Sequence, residues 1–575
     1  METRNLILSI VLSVGVLLLW TVFIEAPRQQ INPSIESGQQ DSIGEIAEVE
    51  TEELNQIEED LGIKKQSFET LENSLQSSTR VNIDTQSLKG SINLKGLKID
   101  DIVLTKYQET LDENSSNIRV LSPLSTENGY EVTFGWLKDK NANFETPTSE
   151  SEWKLISSSN TLRENNELEF EWSNNTGQIY RTSISVDENY LFSINQKIIN
   201  NSNQEIIVNN ASKINRQNAP ALSGMFILHE GLLGVLEEKL ELIDYDDLKD
   251  EGEIETLNFE SENGWVGITD KYWLAALIPD QAKPFKAIYT YDNGYIAYYR
   301  SLNAQSVQSN GEFEVSSKIF IGAKEAKLID QYQEDFNIYN FDLAIDWGWF
   351  YFLTKPLFYI IYYFSGIAGN FGLAIIILTV ITRIIFFPLA NWSFVSMAKM
   401  KMLQPEMTRI KELYKEDRPQ QQKALMDLYK KEKVNPISGC LPILIQIPFF
   451  FAIYKMLFVS IEMRHAPFYG WIQDLAAKDP TSIFNMFGLI PWDPPSFLII
   501  GVWPVLMGLT MYIQQKLNPA PPDPIQAKIF MFFPLFITIL LAQFAAGLVI
   551  YWTTNNLLSI IQQWVITRRT TVKTN

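Results

Sequence analysis

Residues 371–391, FGLAIIILTVITRIIFFPLAN, are apolar enough to span a bilayer, yet they carry an arginine, Arg383, in their interior. One helix through this stretch puts Arg383 roughly 18 Å from its first residue and roughly 12 Å from its last, at 1.5 Å per residue. That is too deep to reach either interface comfortably. An arginine at the centre of a membrane helix costs about 2.5–3.5 kcal/mol on insertion scales, so it ordinarily faces a protein interior or a water-filled cavity and has a function. A polar site within the membrane is the favoured reading. Its rivals are an arginine snorkelling to cytoplasmic headgroups and a structural ion pair; the pair is the weaker rival, because no other candidate span contains Asp or Glu. Thr379, four residues earlier, projects from the same helical face.

Charge divides the 575 residues into two unlike parts. Residues 346–575 hold 20 Lys+Arg against 12 Asp+Glu, whereas residues 1–345 hold 27 against 56. The net charge of −21 therefore belongs to the first part, which argues against nucleic acid as its partner. The single cysteine, Cys440, excludes an internal disulfide. With only His229 and His465 besides, a Cys/His zinc site is excluded too. His229-Glu230 lacks the second histidine of a zincin, and neither a Walker-type glycine loop nor a Gly-x-Ser-x-Gly elbow occurs. No cofactor, no metal and no energy source of the chain's own is expected.

Residues 5–24 are long and apolar enough to cross a membrane, and no small-residue cleavage site precedes Glu25-Ala26-Pro27-Arg28. Residues 1–28 thus read as an uncleaved transmembrane anchor. Residues 29–78, rich in Glu, Gln, Ser and Asn, read as a disordered acidic tether. Residues 79–326 alternate in short segments such as YEVTFGW and ELEFEW, with Asn-Gly turn signals at 128, 263, 293 and 310. They read as an all-β sandwich-type domain whose acidic surface is more simply solvated than reserved for a basic partner. Residues 327–365 are a linker containing an aromatic segment, 346–364, with Lys355-Pro356 at its middle; it reads as an amphipathic helix lying in the interface. Residues 366–575 supply further spans at 371–391, 438–460, 497–515, 529–543 and 546–566, the last two as an antiparallel hairpin.

Six spans in all, five of them in the core, satisfy the charge rule. Residues 397–433 hold ten Lys+Arg, and the tail carries Arg568, Arg569 and Lys573. Both belong on the cytoplasmic side with the N-terminus, and the β domain lies outside. A seventh span at 346–364 would break that agreement. Inside the spans, Gln446, Thr510, Gln514, Thr538, Gln543, Thr553, Thr554, Asn555 and Asn556 are either glue between helices or the lining of a hydrated groove. Taken singly each is better read as glue; taken with an unpaired arginine they favour a groove. Residues 396–433 read as two amphipathic helices, resuming at Pro405 and starting at Pro419. Their methionines suit adaptable binding, and their charge equally suits rest on anionic headgroups.

These residues carry a resemblance. FLTKP (352–356), Thr379 with Arg383, FFPL (386–389), SMAKM (396–400), Asn435-Pro436, GCLP (439–442), QIP (446–448) and GLVIY (547–551) occur in the order found in the YidC/Oxa family of membrane protein insertases, Gram-negative and especially alphaproteobacterial members. GSINLKGLKIDDIVL (90–104) and DKYWLAALIPD (270–280) are similar to that family's periplasmic domain. The resemblance implies a multi-pass inner-membrane protein whose five-helix core encloses a hydrophilic groove, closed toward the periplasm and open to cytoplasm and lipid. Arg383 would be its positive centre, with Thr379, Gln446, Gln514, Tyr551, Trp552 and Asn555 as groove residues. Trp552 stands where relatives have a second tyrosine, so a stacking role fits it better than a hydroxyl role. Met397, Met400, Met402, Lys399, Lys401 and Arg418 would meet nascent chains or the ribosome. The implied partners are nascent membrane proteins, lipids, the Sec translocon and the ribosome, with no nucleic acid expected except through indirect ribosome contact.

A nascent segment gains free energy on entering lipid, while its polar flank must cross a core where each unsatisfied polar group costs several kcal/mol. A groove lined by Arg383 and amides would receive that flank part-way, with no ATP and no bond made or broken. Two other classes stand beside an insertase: a small-anion transporter using the intramembrane arginine, and a periplasmic carbohydrate enzyme that happens to be anchored.

Overall fold

The computed structural model describes residues 68–575 apart from 113, 140, 222–227, 251–252, 433, 435–440, 493, 496–498, 519–523 and 575. The anchor expected at 1–28, most of the tether and Cys440 lie outside the described residues.

From Arg80 to Ala323 the chain forms two large, almost wholly antiparallel sheets packed face to face. In spatial order the first runs Leu257–Ser261, Phe285–Tyr291, Tyr295–Ser301, Ile206–Arg216, Tyr130–Lys138, Lys98–Gln108, Leu88–Asn93 and Arg80–Asp84, with Thr161–Leu162 added in parallel at the edge. The second runs Lys239–Ile243, Gly231–Leu236, Trp265–Thr269, Trp273–Ile278, Gly311–Ala323, Leu191–Asn200, Gln178–Val186, Glu167–Ser173 and Lys154–Leu155. Alternation along Leu191–Asn200 buries Phe192, Ile194 and Ile198 on one face, as a period of two requires. Trp136 meets Phe313 edge-on across the sandwich at 6.0 Å. Tyr130 and Tyr289 donate their hydroxyls to the Ile268 and Leu233 carbonyls of the opposite sheet, at 3.1 and 2.9 Å. These two buried phenols thus keep partners.

Two expectations shift here. The domain begins before residue 79: helix α1 (Leu71–Gln76) rests on it through the Ser74 and Ser125 hydroxyls, and the Glu69 amide donates to the Ser125 carbonyl at 2.7 Å. Asn293-Gly294 closes a hairpin, with Asn293 at φ 50°. Asn263-Gly264 instead carries the chain from Leu257–Ser261 of one sheet to Trp265–Thr269 of the other. Gly264 has φ +120°, and a Cβ there would stand 1.9 Å from the Val235 carbonyl oxygen, so only glycine fits.

Gly231–Leu236 and Trp265–Thr269 are buried on both faces, the pattern of strands covered twice. The second cover is the turn Phe341–Ala344, whose Phe341 ring meets Trp265 at 5.4 Å and Phe320 at 5.6 Å, and α2 (Ala326–Asp335) packs on that turn. The segment leading to the helical region is therefore part of the β domain's core. Partly buried ion pairs extend that junction. The Asp346 carboxylate takes Lys455 Nζ at 2.6 Å and the His229 amide at 3.2 Å; Lys355 reaches Asp342 at 2.7 Å and Asp330 at 2.9 Å. Arg464 donates to the Gln108 and Glu109 carbonyls, and Glu462 accepts the Ala326 amide that opens α2 at 3.0 Å.

The helical region comprises α3 (Tyr351–Ala368), α4 (Phe371–Ile385), α5 (Phe387–Met402), α6 (Gln404–Leu413), α7 (Arg418–Lys431), α8 (Leu441–Val459), α9 (Val502–Leu517), α10 (Pro524–Leu541) and α11 (Ala546–Thr574). Helix α3 buries Leu357, Phe358 and Ile361 against α4 and α8 and exposes Phe352, Tyr363 and Ile367. The one helix expected at 371–391 is two, α4 and α5, bent by 68°. Pro388 has no N–H for the Ile384 carbonyl, and its ring clashes with that turn. Arg383 consequently sits in the last turn of α4 rather than mid-helix. Helices α6 and α7 carry Pro405 and Pro419 in their first turns, and Asp417 caps α7 by accepting the Gln420 amide at 3.0 Å. Residues 396–402, expected in this hairpin, continue α5. Despite the short link between α10 and α11, the broad packing of α11 is with α9 and α4, while α10 lies on α9. Among the described residues no single helix is both long and apolar enough to cross a membrane; α4 and α5 pass together as a bent pair.

Candidate functional site

The bend between α4 and α5 opens a cavity of about 40 Å³, lined by Thr382, Arg383, Phe386, Leu389, Ala390, Gln446, Phe449, Tyr551 and Asn555. A buried water needs roughly 10–15 Å³ on the same measure, so there is room for about three.

Local sequence sets this geometry. Gly369, at φ +64°, ends α3, and the Asn370 side chain caps α4 by accepting the Leu373 amide at 3.0 Å. Gly372 lets the Phe468 ring approach to where a Cβ would stand 2.1 Å away. Thr382 returns its hydroxyl to the Thr379 carbonyl at 2.9 Å, and the Pro388 bend then turns Leu389 and Ala390 back toward Arg383.

Arg383 Nε donates to Asn555 Oδ1 at 2.8 Å and Nη2 to the Asn555 carbonyl at 3.2 Å. Among the described residues no carboxylate pairs with it. A guanidinium has five N–H donors, and these two bonds leave three for the cavity. The group is thus clamped by a neutral amide and keeps its charge. Gln446 and Tyr551 line the cavity together, and Phe386 meets Phe449 edge-on at 5.0 Å.

Of the groove residues expected from sequence, Arg383, Gln446, Tyr551 and Asn555 come together. Thr379 is fully buried and bonds back to the Ile375 carbonyl at 2.7 Å, outside the cavity lining. Gln514 sits half-buried on α9, which contributes nothing to that lining. Trp552 points away from Tyr551's side of α11, onto Phe450 at 4.6 Å. Thr538 and Thr553 satisfy their hydroxyls on their own helices, at the Pro534 and Val549 carbonyls, while Asn556 Nδ2 reaches Thr510 Oγ1 at 3.4 Å and so joins α11 to α9. Thr382, Phe386, Leu389, Ala390 and Phe449 were not singled out. The proline that turns the chain back on Arg383 was the available signal for Leu389 and Ala390. On the expected cytoplasmic face, Met397 is buried against Phe394, Ala390 and Ile566, and Met400 is half-buried. Met402, Lys399, Lys401 and Arg418 are exposed.

Fold and site together define a helical membrane-protein core attached to a β-sandwich. The family model described as 60Kd inner membrane protein matches residues 363–573, and that of the YidC periplasmic domain matches residues 80–360. A Pelagibacter ubique (strain HTCC1062) protein named membrane protein insertase YidC is 47% identical over 576 residues, covering 100% of both chains. Proteins of the same name from Methylorubrum extorquens (strain PA1) and Rickettsia rickettsii (strain Iowa) are 48% and 44% identical, over 87% and 98% of this chain and 83% and 99% of theirs. A crystal structure described as an active YidC insertase with its first transmembrane domain resolved is 18% identical, with a TM-score of 0.35, over 84% of this chain and 92% of that one. The chain belongs to the YidC family of inner-membrane proteins.

Proposed function

We propose that this chain is a membrane protein insertase that receives the polar flank of a nascent inner-membrane protein in the Arg383 cavity and releases the adjoining apolar segment into lipid. One observation carries the mechanism: a guanidinium hydrogen-bonded to Asn555, facing a cavity large enough for water at the bend of the only helix pair among the described residues that is long and apolar enough to cross a membrane. In a medium that offers no hydrogen bonds, such a cavity lowers the cost of carrying polar groups part-way. Burial of the apolar segment supplies the driving force.

Arg383 attracts acidic flanks and disfavours basic ones. The ten Lys+Arg of residues 397–433 support a cytoplasmic position for α6 and α7, with both termini on that side, six spans in all and the β domain in the periplasm. Exposed Lys399, Lys401, Met402 and Arg418 meet the nascent chain or the ribosome there, with the Sec translocon as a neighbour. Neither an anion transporter nor an anchored enzyme gains support from the family match.

A photoreactive residue at Leu389, which lines the cavity, is expected to crosslink the polar flank of a stalled two-span nascent protein. The same residue at Leu535, exposed on α10, is expected to crosslink its apolar segment or lipid. Crosslinking of the flank at 535 and not at 389 would sink the proposal.

A further inference from the structure

Between α8 and α9 the chain makes an excursion, residues 460–501, on the same side as the β domain, since Glu462 and Arg464 bond to Ala326, Gln108 and Glu109. Its far part, PTSIFNMFGLIPW (480–492), contains no charged residue. Phe484, Met486, Phe487, Leu489, Ile490 and Trp492 are all exposed, Leu489 to 81%. Six large apolar side chains in nine residues form a patch that water alone does not account for.

The backbone of this segment is closed on itself. The Met486 amide donates to the Ile483 carbonyl at 3.2 Å, Phe487 to Ser482 at 2.8 Å, Leu489 to Met486 at 3.3 Å and Ile490 to Asn485 at 3.0 Å, while Ile483 is tied to Ile500 at 3.0 Å. Met486 and Phe487 hold φ of 50° and 60°, a left-handed conformation that bulky side chains rarely adopt. A segment with bonded amides and outward apolar side chains is what hydrocarbon tolerates. Tyr469, Trp471 and Trp492, also exposed, have the amphipathic rings that settle at headgroup level. The segment is anchored at its base: Asp479 accepts from the Trp471 indole at 3.1 Å and caps α9 through the Trp503 amide at 3.0 Å.

We propose that residues 483–492 are a wedge inserted into the leaflet that faces the β domain, beside the start of α9, with lipid acyl chains as its occupant. It rests on the reading of the helical region as membrane-spanning. The wedge fixes the depth of α9 and, through Asp479, the height of the junction that carries the β domain.

The test uses the full chain in nanodiscs, with Cys440→Ser and an environment-sensitive fluorophore on Leu489→Cys or, as reference, on Phe536→Cys of α10. Quenching of the 489 label by spin-labelled lipid tails and not by aqueous iodide is expected. Iodide quenching at 489 together with lipid quenching at 536 overturns the wedge and leaves the spanning reading intact. Lipid quenching at neither site overturns the spanning reading. Protection of 489 from both quenchers, with 536 lipid-quenched, also overturns the wedge, because protein then covers it. Leu489→Asp with Phe487→Asp is expected to lower retention of the 489–492 region in lipid, read by a label at Ile490→Cys. An unchanged lipid signal there would count against insertion.

Discussion

Asn555 decides what Arg383 can do. A carboxylate in its place would neutralise the guanidinium, whereas an amide orients it and leaves its charge available. Hydrogen bonds to a charged group are worth about 1.5–3 kcal/mol, so releasing the clamp matters by roughly tenfold or more. Asn555→Asp is expected to cut insertion of a substrate with an acidic flank to the level of Arg383→Ala and to erase the preference over a basic flank. Asn555→Leu is expected to slow both substrates. Measuring protected product for the two flanks in parallel checks this, and a preserved preference in Asn555→Asp would show that the charge is not used. At this scale the sequence was partly legible. Arg383 declared itself because charge inside an apolar run has few structural uses, and Gln446 and Asn555 because amides in spans need partners. That Thr379 lies outside the cavity lining was not legible, because a hydroxyl can satisfy itself on its own helix, which spacing alone does not reveal.

Among the elements, the turn after α8 is the joint that titrates. Glu462 is half-buried at the junction with its carboxylate turned inward, its Oε1 accepting the Ala326 amide and its Oε2 buried without a hydrogen-bond partner among the described residues. Burial, with the nearby Glu325 carboxylate adding to it, raises its pKa from 4.5 to about 7. The folded state therefore holds this proton more tightly than the unfolded state does, and stability falls as pH climbs from about 4.5 to about 7. At 1.36 kcal/mol per unit the loss is on the order of 3 kcal/mol. Glu462→Gln keeps an acceptor for Ala326 and removes the charge. Its apparent Tm in detergent is expected to exceed that of the parent at pH 8 and to match it near pH 4.5; an equal gain at both would mean that the carboxylate does not titrate there. Element types were readable from period and proline, as at α6 and α7. The break at Phe386 was not, because a proline in a membrane helix is compatible with a gentle kink as well as with the 68° bend found here.

Across the whole molecule, the β domain and the helices share one continuous set of buried contacts, through Phe341, Asp346–Lys455 and Arg464. Two domains of opposite charge were evident in the sequence, but their packed junction was not: it is built from single residues scattered over several hundred positions. Deleting the two sheets is expected to lower the apparent Tm and to leave insertion measurable, because no residue of the sheets lines the Arg383 cavity. Complete loss with an intact, folded helical region would assign insertion to the β domain instead. The central claim is tested most directly by protease protection of a two-span protein with a short acidic loop, made in the presence of liposomes holding the purified chain, its Arg383→Ala variant, its Arg383→Lys variant or nothing. Protection that requires the chain, persists with Lys and falls severalfold with Ala is expected; equal protection by all three proteins would contradict insertion through the Arg383 cavity.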